Sequence, residues 1–178
     1  MLKMSAFKLK NTLNEYVDHL SKEEKINVKV EKLSLKDTLQ ITLDSIKTLI
    51  ANSKANLKID FSEAGEVKFN SAYLQSIFLN LITNSIKYSN LETYPVISIT
   101  SKKLKDCTQL IFTDNGIGFE MKDVKGKIFG LHQKFHNHID SKGIGLYLVQ
   151  KHMTSLEGTI KVESQVNKGT TFTLTFKD

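Results

Sequence analysis

Amide, ammonium and phenol groups recur at helical spacing in one stretch of this 178-residue chain, Asn80-Leu81-Ile82-Thr83-Asn84-Ser85-Ile86-Lys87-Tyr88-Ser89. At ~100° per residue, Asn80, Asn84, Lys87 and Tyr88 fall in a stripe roughly 100° wide, with Leu74, Phe78, Leu81 and Ile82 on the opposite side. A side-chain amide oxygen is a neutral, hard ligand of the kind Mg²⁺ takes in small number. A lysine one turn further on neutralises phosphate as a point charge, and a tyrosine ring can pack on ribose or base. The competing reading is the plain solvent face of an amphipathic helix.

A second stretch, Asp114-Asn115-Gly116-Ile117-Gly118-Phe119, follows the apolar run Leu110-Ile111-Phe112. An ionised carboxylate only accepts hydrogen bonds. A buried Asp114 could therefore hold the exocyclic amine of adenine and reject the carbonyl of guanine. Gly116 and Gly118 would let the backbone pass close to a base without a Cβ clash. Asn-Gly is also a leading hairpin dipeptide, but no clean strand follows Gly118. A third stretch, Lys142-Gly143-Ile144-Gly145-Leu146-Tyr147-Leu148-Val149, opens an apolar helix with glycines. Free N–H groups at a helix start suit an anion. The spacing is that of neither a Walker A loop nor a Rossmann turn. Gly169-Thr170-Thr171-Phe172 reads as a hairpin, with the alternative that Thr170 closes a base pocket.

The elements that must hold these groups are legible in the pattern. Phe7, Leu9, Leu13, Tyr16, Val17 and Leu20 mark an amphipathic helix over Leu2 to Leu20, and Ser21 to Lys25 is a polar break. Ile26 to Val30 alternates as a strand. Ser34 is placed to cap a helix that carries Leu35, Leu39, Leu43, Ile46 and Ile50 and ends near Asn52. Strands are expected over Leu57 to Phe61 and Glu66 to Phe69, then a helix capped by Asn70 or Ser71 and running through Tyr88. Strands Val96 to Lys102 and Gln109 to Asp114 precede a long aperiodic segment, Phe119 to Lys142, of the length that functional loops have. A helix from Ile144 stops at Gly158. Strands Thr159 to Ser164 and Thr170 to Phe176 close the chain around an Asn167-Lys168-Gly169 turn. Strands joined directly are expected to pair antiparallel, with the helices on one face. The result is an α/β (α+β) two-layer sandwich with a mixed, mostly antiparallel sheet, preceded by an N-terminal helix.

Composition excludes several classes. At 40 % hydrophobic and 25 % charged residues the chain has the make-up of an ordinary globular protein. No apolar run approaches the ~20 residues of a membrane span, and no signal-peptide pattern is present. Cys107 stands alone, so there is no disulfide framework and a reducing, cytoplasmic location is expected, which could be the cytoplasmic part of a membrane-anchored sensor. The net charge of +6 comes from scattered lysines without a single arginine. That points to solvated faces rather than to nucleic acid, whose bases are read largely by Arg.

Taken in order, these strings resemble the ATP-binding catalytic domain of sensor histidine kinases, within the gyrase, Hsp90, histidine kinase and MutL group of ATPases. Asn80 to Ser89 resembles the N box and Asp114 to Gly118 the first glycine box. Ile128-Phe129 through Phe135 resembles the F box, Gly143-Ile144-Gly145-Leu146 the second glycine box, and Gly169 to Phe172 the small closing box. The resemblance covers about residues 25 to 178 and implies a Bergerat-type ATP-binding fold with ATP and Mg²⁺ as ligands. By resemblance, Asn84 would bind the metal, and Asn80 and Lys87 would act at the phosphates. Tyr88 would line the nucleotide and Asp114 would hold the adenine amine. Gly116, Gly118, Gly143 and Gly145 would shape the pocket, with Phe129, Lys142, Leu146 and Thr170 contributing to the cofactor site, and residues 119 to 142 would form an ATP lid.

Two departures stand out. Ser141-Lys142 replaces the glycine that often opens the second glycine box, and only Lys134 or Lys142 stands where an Arg often faces the γ-phosphate. A lysine cannot form the bidentate fork of a guanidinium. Asn80 discriminates within the group, because hydrolysing relatives usually carry Glu there as a general base for water. An amide cannot take that proton, whereas a neutral imidazole acceptor needs no base. The resemblance therefore implies a protein histidine kinase domain in two-component signalling rather than a hydrolytic ATPase. A degenerate, non-enzymatic nucleotide-binding module is the alternative.

None of the five histidines sits in a phosphoacceptor motif, and the only proline is Pro95. The acceptor His is thus expected on a dimerisation domain outside this chain, with residues 1–21 the end of one of its helices and 25–178 the catalytic domain. The implied partners are that dimerisation domain, a downstream response regulator and, in the full-length protein, a second copy as a homodimer. Nucleic acid and membrane contact are not expected from this segment. His132, His136 and His138 are close in sequence, with an i, i+4 pair that could chelate zinc on a helix, but a fourth ligand is not evident. His152 reads as a surface or core-edge residue.

Overall fold

The computed structural model describes residues 28–90, 92–124, 127–130 and 144–178. In chain order the elements are β1 (Glu31–Ser34), α1 (Leu35–Ser45), α2 (Lys47–Ser53), β2 (Asn56–Asp60), β3 (Glu66–Phe69) and α3 (Ser71–Lys87). There follow β4 (Val96–Lys103), β5 (Cys107–Asp114), the single turn α4 (Met121–Val124), α5 (Gly145–Ser155), β6 (Thr159–Gln165) and β7 (Gly169–Lys177). Five strands form one sheet in the order β2-β4-β5-β7-β6, and β1 pairs with β3 in a separate ribbon. Within the large sheet only β2 and β4 run parallel, and the other neighbours are antiparallel.

Strand alternation builds the core. Ile97 and Ile99, Leu110 and Phe112, and Phe172, Leu174 and Phe176 point to one side of the sheet. They meet Leu74, Ile77, Phe78, Leu81 and Ile82 of α3 and Val149 and Met153 of α5 in one buried cluster. The apolar side of α3 assigned from its spacing is thus fully buried, and α3 packs between α1 and α5. Thr113 and Thr171 hydrogen-bond across strands at 3.1 Å on the other side of the sheet, where threonines alternate with the core residues. The fold is a two-layer α/β sandwich with a mostly antiparallel sheet.

Local rules explain the boundaries. Ser34 caps α1, its Oγ accepting from Asp37 N at 3.1 Å. Asn70 rather than Ser71 caps α3: its Oδ1 accepts from Tyr73 N at 3.1 Å while its Nδ2 donates to Lys29 O at 2.8 Å. At the far end of the β6–β7 hairpin, Asn167 takes φ 61° and Gly169 φ 100°, the left-handed backbone that Asn and Gly tolerate.

Three expectations are corrected. Of the strand expected over Ile26 to Val30, residues 26 and 27 lie outside the described residues, 28–30 are irregular, and among the described residues the pairing begins at Glu31, where Leu33 and Val67 face each other and Lys32 bridges Glu66 at 2.6 Å. The single helix expected after Ser34 is broken at Ile46, which has φ −117° and ψ 20°. Thr38, Thr42 and Ser45 hydroxyls bond back to helix carbonyls (Ser45 Oγ to Thr42 O at 2.7 Å), a competition that weakens the helix where it breaks. Finally, β2 and β3, although directly joined, do not pair. An Asx turn, Ser62 N to Asp60 Oδ1 at 2.9 Å, and the bond from Leu35 N to Gly65 O at 2.9 Å turn the chain towards β1. Val67 and Phe69 are thereby buried, with Phe69 edge-on to Phe176 at 5.0 Å. β2 instead joins β4 through the β3–α3 crossover, which is what makes that pair parallel. The expected helix Leu2 to Leu20, the His132, His136 and His138 group, and Lys134 lie outside the described residues.

Candidate functional site

Asp114 is the last residue of β5, where the sheet ends beneath the carboxyl half of α3. Its Oδ1 accepts from Gly116 N at 2.9 Å and Thr170 N at 3.2 Å, and its Oδ2 from Ser85 Oγ at 2.9 Å. Burial raises its pKa above the ordinary carboxylate value, and the bonds from Gly116, Ser85 and Thr170 offset that only in part. Such a group is a strong acceptor fixed in place by three different elements. Ser85, whose helix position buries it among apolar neighbours, also lies 3.1 Å from Leu81 O.

The turn after β5 is held from both sides. Ile117 N donates to Tyr88 O at 2.9 Å, and Asn167 N donates to Ile117 O at 2.8 Å. A Cβ on Gly116 would stand 2.6 Å from Tyr88 O, and one on Gly118, at φ 55°, only 2.1 Å from Gln165 O. Both glycines are therefore imposed by backbone crossing backbone, within the protein itself. Asn115 closes the turn on its other side, Oδ1 accepting from Val96 N at 2.7 Å and Nδ2 donating to Tyr94 O at 3.1 Å.

The amide stripe sits on α3 as its spacing requires. Asn80 Nδ2 donates to Ser76 O at 2.8 Å, which fixes the amide and leaves Oδ1 as an acceptor. That Oδ1 lies 2.7 Å from where a Gly145 Cβ would be, with the Asn84 amide 3.7 Å from the same point. The start of α5 thus abuts both asparagines, and only a glycine leaves that space open. Ile144, the N-cap of α5, makes no side-chain capping hydrogen bond. Lys87 is exposed at the end of α3, its Nζ 5.7 Å from the Tyr88 ring centroid. Tyr88, the C-cap of α3, is half-buried.

Phe129 and Leu146 pack, half-buried, against the core cluster, and Ile128 is buried after the α4 turn. Thr170 is buried beside Asp114. Lys142 and Gly143 lie outside the described residues. Of the predicted site residues, Asn80 and Asn84 on the carboxyl half of α3 meet Gly145 at the start of α5, and Asp114, Gly116, Gly118, Tyr88 and Thr170 gather at the carboxyl end of the same helix. His152 is half-buried and stacks on Tyr73 at 4.2 Å, the core-edge place expected of it. Among the described residues no group of three or more His, Cys, Asp or Glu could hold a metal ion. Sequence reasoning assigned no part to Ser85, Asn115 or Ser164. Ser85 could have been found, because it is the one hydroxyl on the α3 face otherwise filled by Leu74, Phe78, Leu81 and Ile82.

Comparisons with known proteins place the chain in a family. Residues 69–178 match the family described as histidine kinase-, DNA gyrase B-, and HSP90-like ATPase. The chain is 35 % identical over 127 residues, 71 % of its length, to the heme sensor protein HssS of Staphylococcus saprophyticus, covering 27 % of that protein. It is 40 % identical over 117 residues, 64 % of its length, to the sensor protein BceS of Bacillus subtilis, covering 34 % of it. The chain therefore spans about a quarter to a third of these relatives. The solved catalytic domain of the histidine kinase ThkA superposes with a TM-score of 0.70 at 18 % identity, over 84 % of this chain and 95 % of that one, and so shares the fold. Among the described residues no helix is long and apolar enough to cross a membrane. The matched segment contains all three elements of the site, α3, the β5 turn and the start of α5, and on that ground the chain belongs to the histidine kinase-, DNA gyrase B-, and HSP90-like ATPase family.

Proposed function

We propose that this chain binds ATP with Mg²⁺ and transfers the γ-phosphoryl group to a histidine carried by a separate dimerisation domain, as the catalytic domain of a two-component sensor kinase. The observation that carries the reading is that one helix serves both ends of the site. Ser85 of α3 bonds the buried Asp114 carboxylate, and Asn80 and Asn84 of the same helix border Gly145 at the start of α5. From Asn80 to Ser85 is about 7.5 Å along a helix axis, the scale that separates a purine from its phosphates. Asp114 accepts the adenine amine, Tyr88 lines the nucleotide, and Lys87 neutralises phosphate.

The metal fits these donors in one way only. Asn80 and Asn84 are neutral amides with no carboxylate among them, which suits an ion that arrives on the triphosphate and keeps its waters better than a resident ion. Asn84 holds it, and the ion supplies charge neutralisation on the phosphates. Asn80, its Nδ2 engaged by Ser76 O, cannot accept a proton from water. It positions phosphate without activating water, so the bound triphosphate is spared for an imidazole nucleophile. As in other phosphoryl transfers, positioning and electrostatics dominate.

The test mixes the chain with a dimerisation domain bearing a phosphoacceptor histidine and with γ-labelled ATP and Mg²⁺. Acid-labile label on the dimerisation domain is the expected result. Steady phosphate release by the chain alone would indicate a hydrolytic ATPase, and tight nucleotide binding with no label would indicate a degenerate module.

A further inference from the structure

The Ser164 hydroxyl, in β6, is a meeting point of three groups. Phe119 N donates to Oγ at 3.0 Å, Oγ donates to Gly169 O at 2.9 Å, and Thr170 Oγ1 lies 3.0 Å away in a contact that either hydroxyl could donate. A serine hydroxyl has one proton and two lone pairs. The Gly169 carbonyl can only accept and the Phe119 amide can only donate. The one arrangement that satisfies all three contacts gives the serine proton to Gly169 and one lone pair to Phe119. The other lone pair then takes the Thr170 proton. Thr170 is 7 % exposed, and its own N–H is held by Asp114 Oδ1. With its proton committed to Ser164, the Thr170 hydroxyl has only lone pairs left for a ligand.

We propose that Ser164 is a positioning residue for base selection: by taking the Thr170 proton it leaves Thr170, like ionised Asp114, acceptor-only, so that the site selects a purine bearing an exocyclic amine over one bearing a carbonyl at that place. This rests on the reading of the Asp114 end as a base site. Removing the Ser164 hydroxyl releases the Thr170 proton, which can then be donated to a carbonyl. Phe119 begins the segment that leads to α4, so the same serine also holds the exit of the glycine turn.

The experiment is calorimetric titration of the whole chain with ATP and with inosine triphosphate, each with Mg²⁺. Inosine replaces the 6-amine by a carbonyl and turns N1 from an acceptor into an N–H donor, leaving the sugar and triphosphate unchanged. The parent protein should favour ATP. In Ser164→Ala the ratio of the two Kd values should narrow about five-fold, the scale of one hydrogen bond. Ser164→Thr, which keeps the hydroxyl, should restore it. Ser164→Cys is nearly isosteric and a weak donor and acceptor, so it should narrow the ratio as well and serves if the alanine variant fails to fold. An unchanged ratio in a folded Ala or Cys variant of an ATP-binding parent overturns the inference alone. A parent that binds neither nucleotide overturns the base-site reading and this inference together.

Discussion

At the scale of single residues the site depends on a carboxylate held where burial opposes its charge. Folding raises the Asp114 pKa through desolvation, with the bonds from Gly116, Ser85 and Thr170 compensating incompletely. For an acid whose pKa is higher folded than unfolded, the folded state holds more protons between the two values. Stability therefore falls as pH rises through that window, and the cost is fully present above the folded pKa. Asp114→Asn removes the charge while its Oδ1 still accepts from Gly116 and Thr170. Its Nδ2 can donate to Ser85 Oγ, whose proton then goes to Leu81 O, already 3.1 Å away. The nucleotide-free Asn variant should melt at a higher temperature than the parent at about pH 8, a difference that should vanish below about pH 4. The same variant should lose at least ~10-fold in ATP affinity, because a charge-assisted bond of about 1.5–3 kcal/mol is gone. A lower melting temperature at high pH would show that the carboxylate is structural. Asp114 was legible from its place after an apolar strand. Ser85 was overlooked although its place on the apolar face of α3 marked it, whereas Ser164 was not legible, because its meaning comes from Phe119, Gly169 and Thr170, which the strand pattern does not bring together.

At the scale of elements the decisive features are backbone crossings. Gly118 passes beneath the β6–β7 turn, where a Cβ would meet Gln165 O at 2.1 Å and the residue needs φ 55°. Left-handed backbone alone costs a non-glycine residue about 1–2 kcal/mol, and the clash adds to it. Gly118→Ala should cost about 3 kcal/mol and lower the melting temperature by about 10 °C, measured by thermal unfolding. A change of less than about 2 °C would mean that the crossing relaxes freely. Helix α3 was legible almost to the residue, since its apolar side and the Asn70 cap reinforce each other. The β4–β5 and β6–β7 hairpins were legible for a similar reason, each being two alternating runs with a short link. The partner of β2 was not. Five residues with little buried surface specify no register, and what separates β2 from β3 is a pair of turn bonds with no hydrophobic signature. The break at Ile46 was hidden as well, because Leu43, Ile46 and Ile50 keep the helical period across it.

At the scale of the whole molecule, a two-layer sandwich brings together three strings separated by as many as 65 residues, Asn80 and Gly145 being the extremes in direct apposition. Their order along the chain carried the family, which the match over residues 69–178 establishes. Topology then explains why that order matters. The parallel β2–β4 crossover seats α3 over the sheet, the β5 terminus brings Asp114 under α3, and α5 returns to meet the asparagines. The central claim is that one site, spanned by α3, takes a purine at Asp114 and its phosphates at Asn80 and Asn84. Calorimetric titration of the parent chain with ATP and GTP, with and without Mg²⁺, tests it most directly. The account predicts one-to-one ATP binding that weakens when Mg²⁺ is withheld, and GTP binding at least ~10-fold weaker. GTP bound as tightly as ATP, or no binding of either nucleotide, would contradict it.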